Sequence, residues 1–260
     1  MNQIVLIAES KTMSAAQMPV TADEYATRHP AGEEAADRIM AALRAYSSDE
    51  LAEMLKVSPA LARSAQRYIY GFADKTLGLR TCEAYTGVVF KAFGYSSLDT
   101  SARNYANEHL FILSSLYGLL RLTDIIKPYR LDYTARTETR GATLWSQLRA
   151  ANTAALCRII RDRAVPAIIN LLPADASKSI DWKSVKELCP VVTPDFRIPD
   201  GKGGYRTPNA RRLKELRGLM CRDIMQQGIP TPEALRDSLS ENCLFIGHLK
   251  SPDRPAFLAD

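Results

Sequence analysis

Short apolar runs alternate along this chain with longer segments of helical spacing. Three of the runs are short and rich in β-branched or other apolar residues, which predicts strands at 3–8, 167–172 and 243–247. Two more segments, 191–198 and 203–207, flank an Asp-Gly-Lys-Gly-Gly turn and predict a hairpin.

Over longer stretches, apolar residues recur at the spacing of one helix face. The predicted helices cover 31–46, 101–118, 142–163 and 209–227, with more than one helix over 48–72. Gly228 and Pro230 follow the last of these, which is typical of a helix end. Alternating strands and helices predict a mixed α/β fold. Because no Gly/Ser-rich linker, repeat or low-complexity stretch interrupts the chain, a single domain over 1–260 is expected.

Segment 113–133, LSSLYGLLRLTDIIKPYRLDY, combines an apolar first half with an unusual second half. Its leucines at 113, 116, 119 and 120 have helical spacing, so the first half is predicted to be a buried helix face. The Lys127-Pro128-Tyr129-Arg130 stretch then places two cations and an aromatic ring around a proline, where a regular element does not continue easily. We therefore expect a helix that holds this stretch rigid as a loop.

Residues 49–69 have the cadence of a helix-turn-helix. A recognition helix offers several base-reading polar side chains on one face, whereas Ala60, Ala62 and Ala65 dominate the second helix here. Two packed helices, the second with Ser58 as N-cap and Pro59 at its first position, account for the same residues. A sequence-specific repressor is thus disfavoured.

Composition places the chain among globular proteins. Of the 260 residues, 46% are hydrophobic and 24% are charged, and no apolar run approaches the ~18 residues of a membrane span. The apolar residues 4–8 are too few for a signal-peptide core and lack a basic region before them. A cytoplasmic protein without membrane association, and a monomer, is expected.

Cysteine and histidine usage indicates no disulfide framework, metal site or cofactor. The five cysteines are widely spaced without a C-x-x-C pair, and buried reduced thiols are expected. The three histidines are equally scattered. The chain also lacks a G-x-x-x-x-G-K-[ST] loop, and no G-x-G-x-x-G follows the first strand, which disfavours a conventional nucleotide hydrolase or Rossmann enzyme.

Positive charge is concentrated in two segments. Residues 121–163 contain nine Arg or Lys against four Asp or Glu, and residues 201–222 contain seven against one. The formal net charge of the whole chain is only +5, so the remainder is acidic. Such concentration favours an anionic partner.

Five motifs, in order along the chain, resemble those of one family, the YaaA peroxide-stress proteins. They are ESKTM (9–13), AYTG (84–87), LSSLYGLLRLTDIIKPYRLD (113–132), IINLLPADASKSI (168–180) and LKELRGLMCRDI (213–224). The third is the most specific, being similar to the family's Leu-Ser-x-Leu-Tyr-Gly-x-Leu-Arg-Pro-x-Asp…Pro-Tyr-Arg-Leu-Glu core. The chain departs from the pattern where Glu9 replaces a proline and where Pro173 and Ala176 replace Ser and Tyr.

The resemblance implies a compact α/β arrangement called the cantaloupe fold, an electropositive cleft that binds DNA, and a role in limiting iron-driven oxidative damage. Phosphate and shape, rather than base sequence, would then be recognised. Tyr129 would stack on a base or sugar, with a half-buried packing role as the alternative. The residues implied in DNA binding are Lys11, Arg121, Lys127, Tyr129, Arg130, Asn170, Lys178, Arg211, Lys214 and Arg217.

A second function class remains open, although a binder is favoured. An enzyme acting on a nucleobase, nucleoside or damaged nucleotide could use Lys11 or Lys178 as an amine nucleophile, since both follow apolar strands. Asp175 and Glu9 could serve as acid or base. An acid beside a lysine is of less use to a pure binder, so Glu9 favours chemistry.

Overall fold

The predicted mixture of strands and helices is confirmed. A computed structural model describes residues 3–136, 143–237, 243–248, 251 and 253–259. Within these ranges the strands are β1 (Ile4–Ala8), β2 (Met18–Pro19), β3 (Leu77–Arg80), β4 (Leu110–Ser114), β5 (Gly118–Arg121), β6 (Ile125–Ile126), β7 (Ile168–Asn170), β8 (Val191–Val192), β9 (Asp195–Pro199), β10 (Tyr205–Arg206), β11 (Leu244–Gly247) and β12 (Ala256–Leu258).

The same ranges contain helices of four to twenty residues. They are α1 (Ala22–Arg28), α2 (Glu33–Leu43), α3 (Ser48–Leu55), α4 (Pro59–Gly71), α5 (Thr81–Ala84), α6 (Val88–Phe93), α7 (Thr100–His109), α8 (Leu144–Arg163), α9 (Ala174–Ser177), α10 (Trp182–Lys186), α11 (Ala210–Gln227) and α12 (Pro232–Asp237). No helix among the described residues is both long and apolar enough to span a bilayer.

Strand β1 is the centre of the main sheet, whose order is β5-β4-β1-β7-β8. It pairs in parallel with β4 and β7, and β7 pairs in parallel with β8, whereas β5 runs antiparallel at the edge. Because carboxyl ends of parallel strands meet at one edge of a sheet, the residues after β1, β4 and β7 are brought together there.

Alternation along the central strands supplies two cores, one on each face of the sheet. Val5, Ile7 and Ile112 pack into one core, and Leu6 and Leu113 into the other. The first core also contains residues of α2, α3, α4, α6, α7 and α11, while the second contains residues of α8, α9 and α10. Helices therefore cover both faces, which explains why β1 and β4 are apolar at almost every position.

The predicted helix over 101–118 and the helix face over 113–120 are wrong in part. Helix α7 ends at His109, and β4 and β5 then form an antiparallel hairpin that pairs Ser114 with Gly118. An apolar run buried on both faces of a sheet has the same hydrophobicity as a buried helix, so spacing alone does not distinguish them. Gly118 has a φ of +71°, a conformation that suits the turn and interrupts a helix.

The other predicted elements are confirmed with shifted ends. The hairpin after 190 forms between β9 and β10, with Tyr205 opposite Pro199, but Val191 and Val192 belong to the main sheet. The two packed helices at 49–69 also form. Ser58 and Pro59 stand at the predicted cap and first position, although Ser58 makes no side-chain cap bond.

Candidate functional site

A cavity of about 210 Å³ opens at the carboxyl ends of the parallel strands, and we name it the strand-end cavity. Five residues singled out from the sequence line it: Glu9, Lys11, Asp175, Lys214 and Arg217. The remaining walls come from the ends of β1 and β7, the start of α6 and the segment around Asp132, and they are Ile7, Ala8, Ser10, Thr12, Gly87, Val88, Val89, Asp132, Tyr133, Leu171 and Pro173.

Close backbone approach shapes the floor of the strand-end cavity. The loop after β1 is tightened by Ser10, whose hydroxyl accepts a bond from the Thr12 N–H at 3.1 Å. Gly87, before α6, lies so near that a Cβ there would collide with the Ser10 side chain. The glycine of the Ala-Tyr-Thr-Gly motif is therefore needed for space.

Glu9 lies at the base of the cavity within a network of hydroxyl groups. Its carboxylate accepts bonds from the Ser115 N–H at 2.9 Å and from the Tyr129 hydroxyl. The Tyr129 oxygen in turn lies 2.6 Å from the Tyr85 hydroxyl and 2.7 Å from that of Ser114. Burial raises the pKa of Glu9 to about 7, although these bonds oppose the shift. Glu9 thus exchanges a proton near neutral pH.

Lys11 and Asp132 form an ion pair at the mouth of the cavity. The pKa of Asp132 is lowered because bonds from Lys11 and Thr134 outweigh the effect of its burial. Arg130 donates to the Lys11 carbonyl at 2.9 Å, and its Nε is buried without a partner among the described residues. Arg130 therefore positions the Lys11 backbone instead of projecting from a loop.

Helix α11 supplies two further cations. It packs on α6 at Gly218, where a Cβ would approach the Ala92 Cβ to 2.7 Å, so the glycine allows the close contact. Lys214 and Arg217 thereby line the strand-end cavity, and within the described ranges neither makes a hydrogen bond or ion pair. Burial lowers the pKa of Arg217, an effect that the negative charge of Asp175 opposes.

A second cavity, of about 530 Å³, lies on the other side of Arg217, and we name it the side cavity. Asn170 lines it; its amide nitrogen donates to the Thr193 hydroxyl at 3.3 Å, and its oxygen accepts the Leu172 N–H at 3.1 Å. Arg217 and Leu171 border both cavities. The structure thus places Asn170 next to the strand-end cavity but not in it.

Two cations of the 121–130 segment lie outside the strand-end cavity and the side cavity. Arg121 pairs with Phe111 in the β4–β5 ladder, at the opposite end of the sheet, and its guanidinium donates to Asp124 at 2.8 Å. Lys127 is buried and donates to the Gly71 carbonyl at 3.1 Å. Adjacent positions in the motif therefore serve different parts of the fold.

Tyr129, Lys178 and Arg211 are also outside the strand-end cavity lining. The Tyr129 side chain is buried against Tyr117 and Tyr85, so its ring occupies the packing role considered as the alternative, while its hydroxyl holds Glu9. Lys178 is exposed in a separate depression with Trp182, and Arg211 is exposed in the first turn of α11.

Sequence reasoning missed Asp132 and the hydroxyl partners of Glu9. A signal for Asp132 was available, because it stands where the family core motif has a glutamate, three positions after Tyr129. For the hydroxyl network the signal was partial: Ser114 and Tyr85 lie in the quoted motifs, but only tertiary structure brings their hydroxyls to Tyr129 and so to Glu9.

Thiol reactivity and metal binding depend on how histidine, cysteine and acidic side chains are arranged. Among them no group of three His, Cys, Asp or Glu is arranged to hold a metal ion. The five cysteines form no disulfide among the described residues, and four of them are buried. Burial raises the pKa of Cys82 and of Cys243 to about 12, which keeps both as thiols and slows reaction with peroxide.

The fold and site define an α/β protein, covered by helices on both faces, with a pocket of mixed charge at its strand ends. Comparison with known proteins gives the particular family: a family model for the peroxide stress protein YaaA matches residues 3–245. The chain belongs to this family.

Similar proteins span nearly the same length. A UPF0246 protein of Bacteroides thetaiotaomicron is 34% identical over 98% of both chains. One of Parabacteroides distasonis is 30% identical over 99% of this chain and 100% of its own. A third, of Burkholderia lata, is 33% identical over 83% of this chain and 84% of its own.

Proposed function

We propose that this protein acts in peroxide-stress defence by binding DNA at the strand-end cavity and so helps to limit iron-driven damage. The observation that carries the proposal is the pair Lys214 and Arg217, two cations at a cavity with no ion-pair partner among the described residues. Guanidinium and ammonium groups without a protein partner are suited to phosphate oxygens.

The size of the cavity favours a nucleotide that is unpaired or terminal. A cavity of about 210 Å³ does not admit a duplex, so a base or sugar would have to leave the helical stack to enter it. The partly exposed apolar side chains of Val88 and Val89 would contact it there. Buried cysteines without disulfides are compatible with a reducing compartment such as the cytosol. We propose that the protein is a monomer there.

Salt dependence of DNA affinity tests the proposal. If phosphate contacts dominate, affinity should fall steeply between about 50 and 200 mM salt, largely independently of sequence. Charge reversal of Lys214 and Arg217 together should reduce the log–log slope by about 2, since each lost phosphate contact removes about 1. Reversal of Arg63 and Arg67, exposed on α4, is the matched control and should leave the slope unchanged. A slope near zero for the parent protein would refute the proposal.

A second candidate is an enzyme that acts on a nucleobase, nucleoside or damaged nucleotide in the same cavity. The observation in its favour is the difference between two nearby carboxyl groups: the pKa of Glu9 is raised to about 7, whereas that of Asp132 is lowered. Separation of this kind divides acid from base roles in many hydrolytic sites. Chromatography of modified and intact nucleosides and oligonucleotides after incubation would detect turnover. Loss of that turnover in Glu9→Gln, with DNA affinity retained, would support the enzyme.

A further inference from the structure

The strand-end cavity and the side cavity share one cationic side chain in their linings. Arg217 and Leu171 line both, so a ligand that occupies both cavities would lie against the Arg217 side chain. A guanidinium offers planar, forked donors that match two oxygens of a phosphate. Since Arg217 makes no hydrogen bond or ion pair within the described residues, its donors are available on this path.

The side cavity is the larger of the two. Pockets that take small molecules usually measure about 300–1,000 Å³. The strand-end cavity, at about 210 Å³, is below that range, whereas the side cavity, at about 530 Å³, is within it. A ligand confined to the strand-end cavity would therefore be small, and the adjoining space is sufficient for a second unit.

Pairing neutralises part of the charge in the side cavity. Lys186 donates to Asp253 at 3.0 Å, and Asp195 accepts from Arg197 at 2.7 Å. Arg254 also lines this cavity and makes no ion pair with a described residue. Because the carboxylates of Asp195 and Asp253 lie in the same lining and would repel a second phosphate, this cavity is better suited to an uncharged polar group.

Polar and aromatic side chains are nevertheless exposed to this space. The Trp182 indole N–H is occupied by the Ser177 carbonyl at 2.9 Å, so the part of the side chain left for a ligand is its ring. Arg254 Nε is buried without a hydrogen-bond partner in the described part of the chain. Aromatic rings and arginine side chains are the groups on which unpaired bases stack, and this cavity has both kinds, Trp182 and Arg254, in its lining.

We infer that the side cavity is a second nucleoside subsite, and that the preferred ligand is a pair of nucleosides joined by a phosphodiester whose phosphate lies at Arg217. One nucleoside would occupy each cavity. This inference rests on the proposed function and adds to it the length and polarity of the recognised unit: two nucleotides of single strand, with one linking phosphate.

Two ligands of equal charge test the inference. The dinucleoside phosphate TpT and the methyl ester of thymidine 3′-phosphate both carry one phosphodiester, but only TpT has a second nucleoside. Calorimetric titration of the full-length protein should give about 5- to 150-fold tighter binding of TpT, the range associated with stacking of one base. Long single-stranded DNA is titrated alongside as a measure of the proposed function.

A blocking variant provides the matched comparison. Ala174 is exposed and lines the side cavity, so Ala174→Tyr should fill that space without disturbing the core. The variant should bind TpT only as tightly as the parent binds the methyl ester. Its affinity for the methyl ester should be unchanged. Ala60→Tyr, also exposed and in the first turn of a helix, is the control and should change neither affinity.

The outcomes separate the two ideas. Equal affinity for TpT and the methyl ester, or an equal loss for both in Ala174→Tyr, would overturn the second subsite while leaving DNA binding intact if long DNA still binds. Failure of long DNA and of both small ligands to bind would overturn the proposed function and the inference with it.

Discussion

The two ends of the central sheet contain the same kinds of charged residue in different states of pairing. At the amino end of β4, Arg121 donates to Asp124, a carboxylate with only 2% of its residue surface exposed. At the carboxyl ends of the strands, Arg217 and Lys214 border a cavity with no ion pair to a described residue. A cation count along the sequence treats these as equal, but Arg121 is paired with a carboxylate, whereas Arg217 and Lys214 form no ion pair with a described residue.

The two ends also differ in how their acids are used. Asp124 is buried beside its own cation, so it stabilises a turn. Glu9 is buried among hydroxyl groups, with no cation in contact among the described residues, and its pKa of about 7 follows from that. Burial raises the pKa of both acids, but the charge of Arg121 opposes the shift in Asp124, whereas only hydrogen bonds oppose it in Glu9.

The largest expected effect concerns the packing beneath the carboxyl end. Leu116, in the β4–β5 turn, is fully buried, so Leu116→Ala should lower the free energy of unfolding by about 2–5 kcal/mol. Leu119, only partly buried in β5, should lose less when changed to Ala. Denaturant titration measures both. A loss below about 1 kcal/mol at Leu116 would mean that this end is loosely packed.

Glu9→Gln tests whether the carboxyl end of the sheet contains a buried acid without a neighbouring cation. Between its ordinary pKa of 4.5 and its folded value of about 7, Glu9 binds more proton in the folded than in the unfolded state. Its contribution to the free energy of unfolding therefore falls as pH rises through that window, by up to about 3 kcal/mol. A glutamine side chain cannot titrate, so the variant should gain stability relative to the parent as the pH rises through the same window. Parallel stability curves for both proteins would contradict the raised pKa.

Arg121→Ala examines the amino end. Removal of the guanidinium leaves the Asp124 carboxylate with one bond from residue 121, the bond donated by the backbone N–H. Because the Arg121 side chain is half-exposed, loss of its ion pair should lower the free energy of unfolding by about 1–2 kcal/mol. DNA affinity should change by less than about twofold, since the site is at the other end of the sheet. A tenfold loss of DNA affinity at unchanged stability would place Arg121 in the DNA-binding site and contradict the difference between the two ends of the sheet.

Lys11→Arg should have the smallest effect. Arg can keep the ion pair with Asp132 and the positive charge at the cavity mouth, so DNA affinity should stay within about twofold of the parent. An amine paired with a carboxylate is a poor nucleophile, and we expect borohydride to trap no adduct with abasic DNA. Lys178→Arg is run beside it. A trapped adduct that disappears in only one of the variants would establish Schiff-base chemistry at that lysine.

Most elements could be predicted from spacing because their signals are local. Helix α11 was predicted over 209–227 and forms over Ala210–Gln227, ending at Gly228 in the left-handed conformation. The strands at 3–8 and 167–172 likewise form. Segment 113–120 was not predictable in this way, because its burial on both faces depends on β1 and α8, which are distant in sequence.

The residues of the candidate site divide in the same way, into those that local sequence predicts and those that depend on tertiary contacts. The sequence by itself determined the family motifs and the presence of Glu9, Lys11, Lys214 and Arg217, and all four line the strand-end cavity. It did not determine that Lys127 would be buried against Gly71 or that Tyr129 would turn its hydroxyl to Glu9. Side-chain direction and charge pairing depend on the elements that pack against a segment. Those contacts join residues that are far apart in the chain, by 56 positions for Lys127 and Gly71 and by 120 for Glu9 and Tyr129. Composition specifies which charges exist, and tertiary packing decides which of them remain available to a ligand.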